Sequence, residues 1–233
     1  MLQIVNLEKS FGSNTILHNI NLTCNYGKIY GIIGRNGSGK SVLFKCICGL
    51  IQIDEGKILI DEKNIYTNPQ ILKKIGMLIE TPAFLTNYSG FDNLMMLYSI
   101  NNRISPDNIR YYMKAVGLNP FDRKKVYKYS MGMKQRLAIA QAIMENQDIL
   151  ILDEPFNGLD KHGVEEIKAL LSSVKKDKII LLTSHNIDDI KQLCDTVYEF
   201  EDGSLEQLEM FPDVGMRTED CGMRTNDKKE RQI

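Results

Sequence analysis

The run with the clearest chemical use is Gly34-Arg35-Asn36-Gly37-Ser38-Gly39-Lys40-Ser41, which carries three glycines, a lysine and a terminal hydroxyl. A β-branched run at 29–33 precedes it and helical periodicity over 42–50 follows it, the strand, loop and helix order of a phosphate-binding loop. Glycines let backbone N–H groups turn inward around phosphate oxygens, and a helix starting near Lys40 adds its positive end at the same point. Lys40 is then expected to neutralise the β- and γ-phosphates of a nucleotide, and Ser41 to ligate Mg²⁺.

A second group lies downstream. The apolar run 149–152 ends in Asp153 and Glu154, two carboxylates at the C-terminal end of a buried strand, where ligands of a parallel sheet bind. Asp153 is placed to hold Mg²⁺ through water, and Glu154 to polarise the water that attacks the γ-phosphate.

These loops need a scaffold. Short β-branched or aliphatic runs at 29–33, 58–60, 75–79, 149–152, 179–183 and 197–200 suit strands buried on both faces. Two alternating runs, 2–7 and 16–24, flank a turn at Phe11-Gly12-Ser13-Asn14 and predict a small antiparallel edge sheet. Helical periodicity marks 42–50, 93–100, 107–116, 134–144, 163–174 and 187–193. The pattern is α/β, with a mostly parallel sheet, and the strand-free stretch between Ser89 and Met144 predicts a helical lobe at about 85–145. The expected division is one ATPase domain over 1–211 and a polar, disordered extension over 212–233, where Gly215-Met216-Arg217-Thr218 is echoed by Gly222-Met223-Arg224-Thr225.

With these motifs in place, the chain resembles the ATP-binding subunits of ABC transporters from Leu2 to about Leu208. The run Tyr129-Ser130-Met131-Gly132-Met133-Lys134-Gln135-Arg136 is similar to the family's signature loop, although Met131 replaces the more usual Gly and Met133 the usual Gln. Taken by itself, Ser130-Met131-Gly132 also reads as an ordinary helix cap. The resemblance implies that two copies pack head to tail, each signature loop closing over the ATP held by the other copy. It implies adenine stacking on Phe11, which the residues alone would equally allow in a core. It also implies communication between the copies through Asp160, in Phe156-Asn157-Gly158-Leu159-Asp160, and a γ-phosphate contact from His185.

One departure is informative. Run 75–79 ends in Glu80-Thr81-Pro82-Ala83-Phe84, where most of the family carries Gln at the position of Glu80. Glu keeps the reach of Gln but loses the amide donor, so it accepts from a metal-bound water and cannot donate to phosphate. This variant is similar to the ATPases of lantibiotic-immunity and bacitracin-resistance exporters. Those relatives imply separate transmembrane permease subunits, a place on the cytoplasmic face of the plasma membrane, and a coupling-helix groove along 84–97, where Phe84, Leu85 and Tyr88 suit a protein interface.

Composition narrows the alternatives. With 29 Lys and Arg against 30 Asp and Glu, no basic footprint favours nucleic acid. The chain also lacks the coiled-coil insertion, second core or zinc module of non-transport relatives. The rivals are an ATPase of a general multidrug exporter, a non-transport ATPase acting on nucleic acid, and an idle regulatory subunit, against which Lys40, Asp153, Glu154 and His185 argue. Five scattered cysteines with no CxxC pair fit buried thiols better than a disulfide frame. No apolar stretch reaches the length of a membrane span and no signal segment opens the sequence, so any membrane role is expected to come through a partner.

Overall fold

The computed structural model describes residues 1–80, 83–102 and 105–208; Thr81, Pro82, Cys221 and the extension read from 212–233 lie outside them. The opening alternation forms β1 (Leu2–Phe11) and β2 (Asn14–Cys24), an antiparallel pair with Phe11 opposite Asn14 at the turn. β3 (Lys28–Ile33) enters the glycine-rich loop and α1 (Lys40–Ile47) leaves it. β4 (Glu55–Ile60) and β5 (Lys63–Asn64) complete a four-stranded antiparallel sheet, in the order β2-β1-β4-β5. This corrects the expectation for run 58–60: Ile58 and Ile60 are buried but Leu59 between them is only half-buried, the alternation of a strand covered fully on one face.

After β6 (Ile75–Leu78) come α2 (Gly90–Asn101), α3 (Pro106–Ala115) and α4 (Met131–Ile143), with no strand between them among the described residues. They form the helical lobe. Both α2 and α4 begin three residues before their periodicity does, because caps extend them. Ser89 accepts from the Asp92 N–H and Ser130 from the Met133 N–H, satisfying donors that a helix start leaves free. The chain continues through β7 (Ile149–Leu152), α5 (Lys161–Val174), β8 (Ile179–Thr183), α6 (Ile187–Leu193), β9 (Thr196–Glu201) and β10 (Ser204–Gln207). The second sheet has the order β10-β9-β3-β8-β7-β6, parallel throughout except for β10. This is the α/β architecture of a phosphate-loop NTPase.

Every residue of β7 and β8 is buried, because the two faces of this sheet meet different cores. Ile149, Ile151, Ile179 and Leu181 join Leu43, Phe44 and Ile47 of α1 and the apolar face of the antiparallel sheet. Leu150, Leu152, Ile180 and Leu182 join Leu137 and Ile143 of α4, Ile167 and Leu171 of α5, and Ile190 of α6. Period-two alternation of side chains thus explains runs with no polar residue. Cys24, Cys46 and Cys48 are buried and Cys194 half-buried, all as free thiols.

Strand order puts the chemistry together. β8 lies between β3 and β7, so the loop after β3, Asp153 after β7 and Thr183 at the end of β8 share one edge. The helical lobe packs on this sheet where Gly76 lets α4 press onto β6: a Cβ there would lie 1.9 Å from the Ala142 carbonyl oxygen.

Candidate functional site

The glycine-rich loop turns at Gly37 and Gly39, whose φ angles of 77° and 118° are ones that L side chains adopt only with strain. It ends at Lys40, only 6% exposed, whose ammonium donates to the carbonyls of Gly34 and Arg35 at 2.8 Å each. Burial pushes the Lys40 pKa down, opposed by the charges of Glu154 and Asp153. A cation held by neutral carbonyls in a partly desolvated place is one that a phosphate stabilises strongly.

One residue on, Ser41 Oγ donates to Asp153 Oδ2 at 2.6 Å. The other oxygen, Oδ1, accepts from Thr183 Oγ1 at 2.7 Å, and the Asp153 N–H donates to the Leu78 carbonyl at 2.6 Å, which fixes the carboxylate against two strands. The donor set is a hydroxyl and a carboxylate, both hard oxygens. No cluster of three or more His, Cys, Asp or Glu forms a cage among the described residues. That set fits Mg²⁺, which keeps waters and takes substrate phosphates in place of a full protein shell.

Glu154 adopts φ 51°, a left-handed conformation uncommon outside glycine. Its N–H donates to Thr183 Oγ1 at 2.8 Å, and its carbonyl accepts from Gln135 Nε2 at 3.0 Å and from the Asn157 N–H at 3.2 Å. On its side chain, Oε2 accepts from the His185 N–H at 3.2 Å. Oε1 lies 3.2 Å from His185 Nε2, an ion-pair distance without hydrogen-bond alignment, and is buried with no hydrogen-bond partner. Burial raises the Glu154 pKa; the His185 charge, the His185 N–H and Lys40 pull it back, while Asp153 adds to the rise. The arrangement is a carboxylate with one oxygen lacking a hydrogen-bond partner and an elevated affinity for a proton, as a general base requires.

A cleft of about 320 Å³ is lined by Phe11, Asn36, Gly37, Gly39, Lys40, Ser41, Asp153, Glu154 and His185, together with Ile16 and Val42. Its size is that of a small-ligand site. Phe11 is 50% exposed, with the Lys9 ammonium 5.3 Å from its ring centroid, so it stands at the surface and not in a core. Arg35 and Ser38 line a neighbouring hollow of about 430 Å³ with Thr15, Phe200 and Glu201. Gly34 packs under that wall, where a Cβ would lie 2.3 Å from the Phe200 carbonyl oxygen.

The remaining expected residues stand apart from the cleft. Ser130 caps α4, its Oγ accepting from the Met133 N–H at 3.2 Å, and Met131 beside it is 68% exposed. Gly132 packs against the loop after β7: a Cβ there would lie 2.9 Å from the Gly158 carbonyl oxygen. Asp160 caps α5, accepting from the Gly163 N–H at 2.9 Å. Glu80, at φ 60°, pairs with Lys45 of α1 and is mostly exposed. Of the groove expected at 84–97, Leu85 and Tyr88 are exposed, while Phe84 is half-buried against the helical-lobe core.

Sequence reasoning missed Thr183, Gln135 and Lys45. For Thr183 a signal was available: a hydroxyl ending the run Ile179-Ile180-Leu181-Leu182 must find a partner once it is fully buried.

The family described as ABC transporter matches residues 17–157 of the chain. The bacitracin transport ATP-binding protein BcrA of Enterococcus faecalis is 38% identical over 208 residues, spanning 88% of this chain and 68% of that protein. The lantibiotic transport ATP-binding protein SrtF of Streptococcus pyogenes is 36% identical over 206 residues, spanning 88% and 89%. Among solved structures, the dimeric ATP-binding cassette MJ0796, in a post-hydrolysis state bound to ADP and Pi, superposes with a TM-score of 0.80 at 25% identity, covering 91% of this chain and all of that one.

Proposed function

This chain belongs to the ABC transporter family as an ATP-binding, ATP-hydrolysing subunit, and we propose that it powers export of a peptide antibiotic through separate membrane subunits. No described helix is long and apolar enough to cross a membrane. By its similarity to transport ATP-binding proteins, the proposal puts the chain on the cytoplasmic face, docked through Leu85, Tyr88 and their neighbours. The similarity to bacitracin and lantibiotic transport proteins and the carboxylate at Glu80 support a peptide-antibiotic cargo.

One observation carries the mechanism. Residues 130–133 present a capped helix start with Met131 largely exposed, yet none of them lines the cleft that holds Lys40, Asp153 and Glu154. A helix start is an anion site, and one that does not line its own cleft is free to complete the cleft of a second copy. The reading is therefore a head-to-tail pair with two ATP molecules at the interface, the loop of one copy and Ser130 of the other closing on each. Dimeric MJ0796 supports that assembly.

Within each cleft, Lys40 exchanges its carbonyl partners for the β- and γ-phosphates, and Phe11 stacks on the adenine. Ser41 and Asp153 are the residues that would hold Mg²⁺, and Glu80 would serve its water shell only on leaving Lys45; Mg²⁺ would supply charge neutralisation of the phosphates. Glu154 Oε1 accepts a proton from the attacking water. As that water's oxygen bonds to the γ-phosphorus, the bond from the γ-phosphorus to the bridging oxygen breaks, and ADP leaves with that electron pair. His185 holds Glu154 and touches the γ-phosphate, and Asp160 lies where the copies meet.

The test is twofold. Glu154→Gln with ATP is expected to form a stable dimer in sedimentation velocity, and a strictly monomeric protein overturns the pairing. Cells producing Glu154→Gln in place of the wild type are expected to lose tolerance of bacitracin or a lantibiotic. Tolerance that is unchanged, or lost only toward unrelated small drugs, overturns the cargo assignment.

A further inference from the structure

Glu154 is held from two sides. β8 and its exit provide Thr183 Oγ1 and the His185 N–H, while the helical lobe provides Gln135 Nε2, which donates to the Glu154 carbonyl at 3.0 Å. Gln135 sits five residues past Ser130, about 7 Å along the axis of α4. The same helix touches the segment after Glu154 a second time. A Cβ at Gly132 would lie 2.9 Å from the Gly158 carbonyl oxygen, and a Cβ at Gly158 would lie 2.7 Å from Met131 Cγ. The stretch from Glu154 to Gly158 is therefore gripped by α4 at both ends. Glu154 itself sits at φ 51°, a conformation that persists in a side-chain-bearing residue when its surroundings enforce it.

We infer that Gln135 is a positioning residue, transmitting the placement of the 130–133 loop to Glu154 of the same molecule. This rests on the head-to-tail reading, in which Ser130 closes on the nucleotide of the partner. Closure on that nucleotide shifts the N-terminal end of α4, and the amide of Gln135 carries the shift to the carbonyl of Glu154. Glu154 then takes the geometry that aims Oε1 at its own water. Occupancy of one cleft is in this way sensed by the base of the other, through a side chain that touches neither nucleotide.

Gln135→Met keeps the length of the side chain and removes the donor, while Gln135→Lys restores a donor of sufficient reach. The expected result for Gln135→Met is a kcat about tenfold lower, affinity for a non-hydrolysable ATP analogue within twofold of wild type, an unchanged melting temperature, and a Hill coefficient for ATP that falls from above 1 to 1. Gln135→Lys is expected to regain most of the lost kcat. A wild-type kcat in Gln135→Met overturns the assignment, as does a wild-type Hill coefficient of 1. So does a loss of kcat accompanied by equal losses of ATP affinity and melting temperature, the mark of a packing role. The ATP-induced dimer of Glu154→Gln separates the two readings: if it forms, the kinetic result judges Gln135 alone, and if it does not, the pairing beneath the inference is what fails.

Discussion

Ser41 Oγ donates to Asp153 Oδ2 at 2.6 Å, joining the first turn of α1 to the end of β7 across 112 residues of sequence. The contact brings together the two oxygen donors that suit Mg²⁺, and it makes Ser41 dispensable for gripping phosphate but not for using the metal. We predict that Ser41→Ala binds ATP in EDTA within twofold of wild type while its Mg²⁺-dependent kcat falls roughly a hundredfold. A magnesium titration of ATPase activity checks this, and an unchanged curve removes Ser41 from the metal site.

Lys40 is the cation the loop is folded around, desolvated and bonded to two carbonyls. A contact between the ammonium and a phosphate joins two opposite charges and is stronger than the ammonium–carbonyl contacts it replaces. Lys40→Ala is expected to weaken fluorescent-ATP binding by about 10- to 100-fold. A titration that superposes on wild type would show that the ammonium does not meet the phosphates.

The pH dependence follows from Glu154. Its pKa is raised, chiefly by burial, and a base must be ionised to accept a proton, so kcat is expected to fall as pH drops through a value above the usual carboxylate range. The positive charge of His185 opposes that rise, whereas its N–H is a backbone group that survives substitution. His185→Ala should therefore move the acid limb of the rate profile to higher pH. Stability runs the other way. A carboxyl whose folded pKa lies above its unfolded one favours folding below the unfolded value and loses that contribution as pH rises through the folded one. Glu154→Gln, with no charge to bury, is expected to melt about 2 °C above wild type at pH 8, and the gap should close near pH 4. A gap that widens on acidification contradicts the burial argument.

What was legible before the fold was known divides by how local each feature is. The loop at 34–41, the pair Asp153–Glu154 and the cap at Ser130 act within a few residues of themselves, so types and spacing alone mark them; Ser89, Asp160 and Asn186 cap their helices just as locally, but nothing in the sequence analysis singles them out as caps. The strands buried on both faces, β7 and β8, announced themselves by unbroken apolar runs, yet runs 75–79 and 197–200, expected to be the same, leave Met77 and Glu199 exposed, and run 58–60 belongs to the other sheet. β10, with the sequence Ser204-Leu205-Glu206-Gln207, has a polar outer face and no such signal. Gln135 and Lys45 were invisible for a different reason: each is a polar residue on a helix, and its partner is brought to it by strand order. Nothing in a run of residues says that β6 and β7 will end beside α1 and α4.

Glu80 brings the last prediction. It follows β6 at the sheet edge that carries Asp153, but its carboxylate pairs with Lys45, one helical turn beyond Ser41, and not with the cleft. If Glu80 serves the Mg²⁺ water shell, Lys45 competes for it, and the two substitutions should not add. Lys45→Met alone is expected to lower the Mg²⁺ concentration for half-maximal ATPase about threefold, an effect on the scale of an exposed charge pair. Glu80→Gln alone should raise it, while leaving the melting temperature within about 1 °C, because a mostly exposed ion pair contributes little to folding. In the Glu80→Gln background, Lys45→Met should then change nothing, since the group it released is gone. Equal effects of Lys45→Met in both backgrounds would show that Lys45 acts on the cleft by its own charge, and that Glu80 has no part in holding the metal.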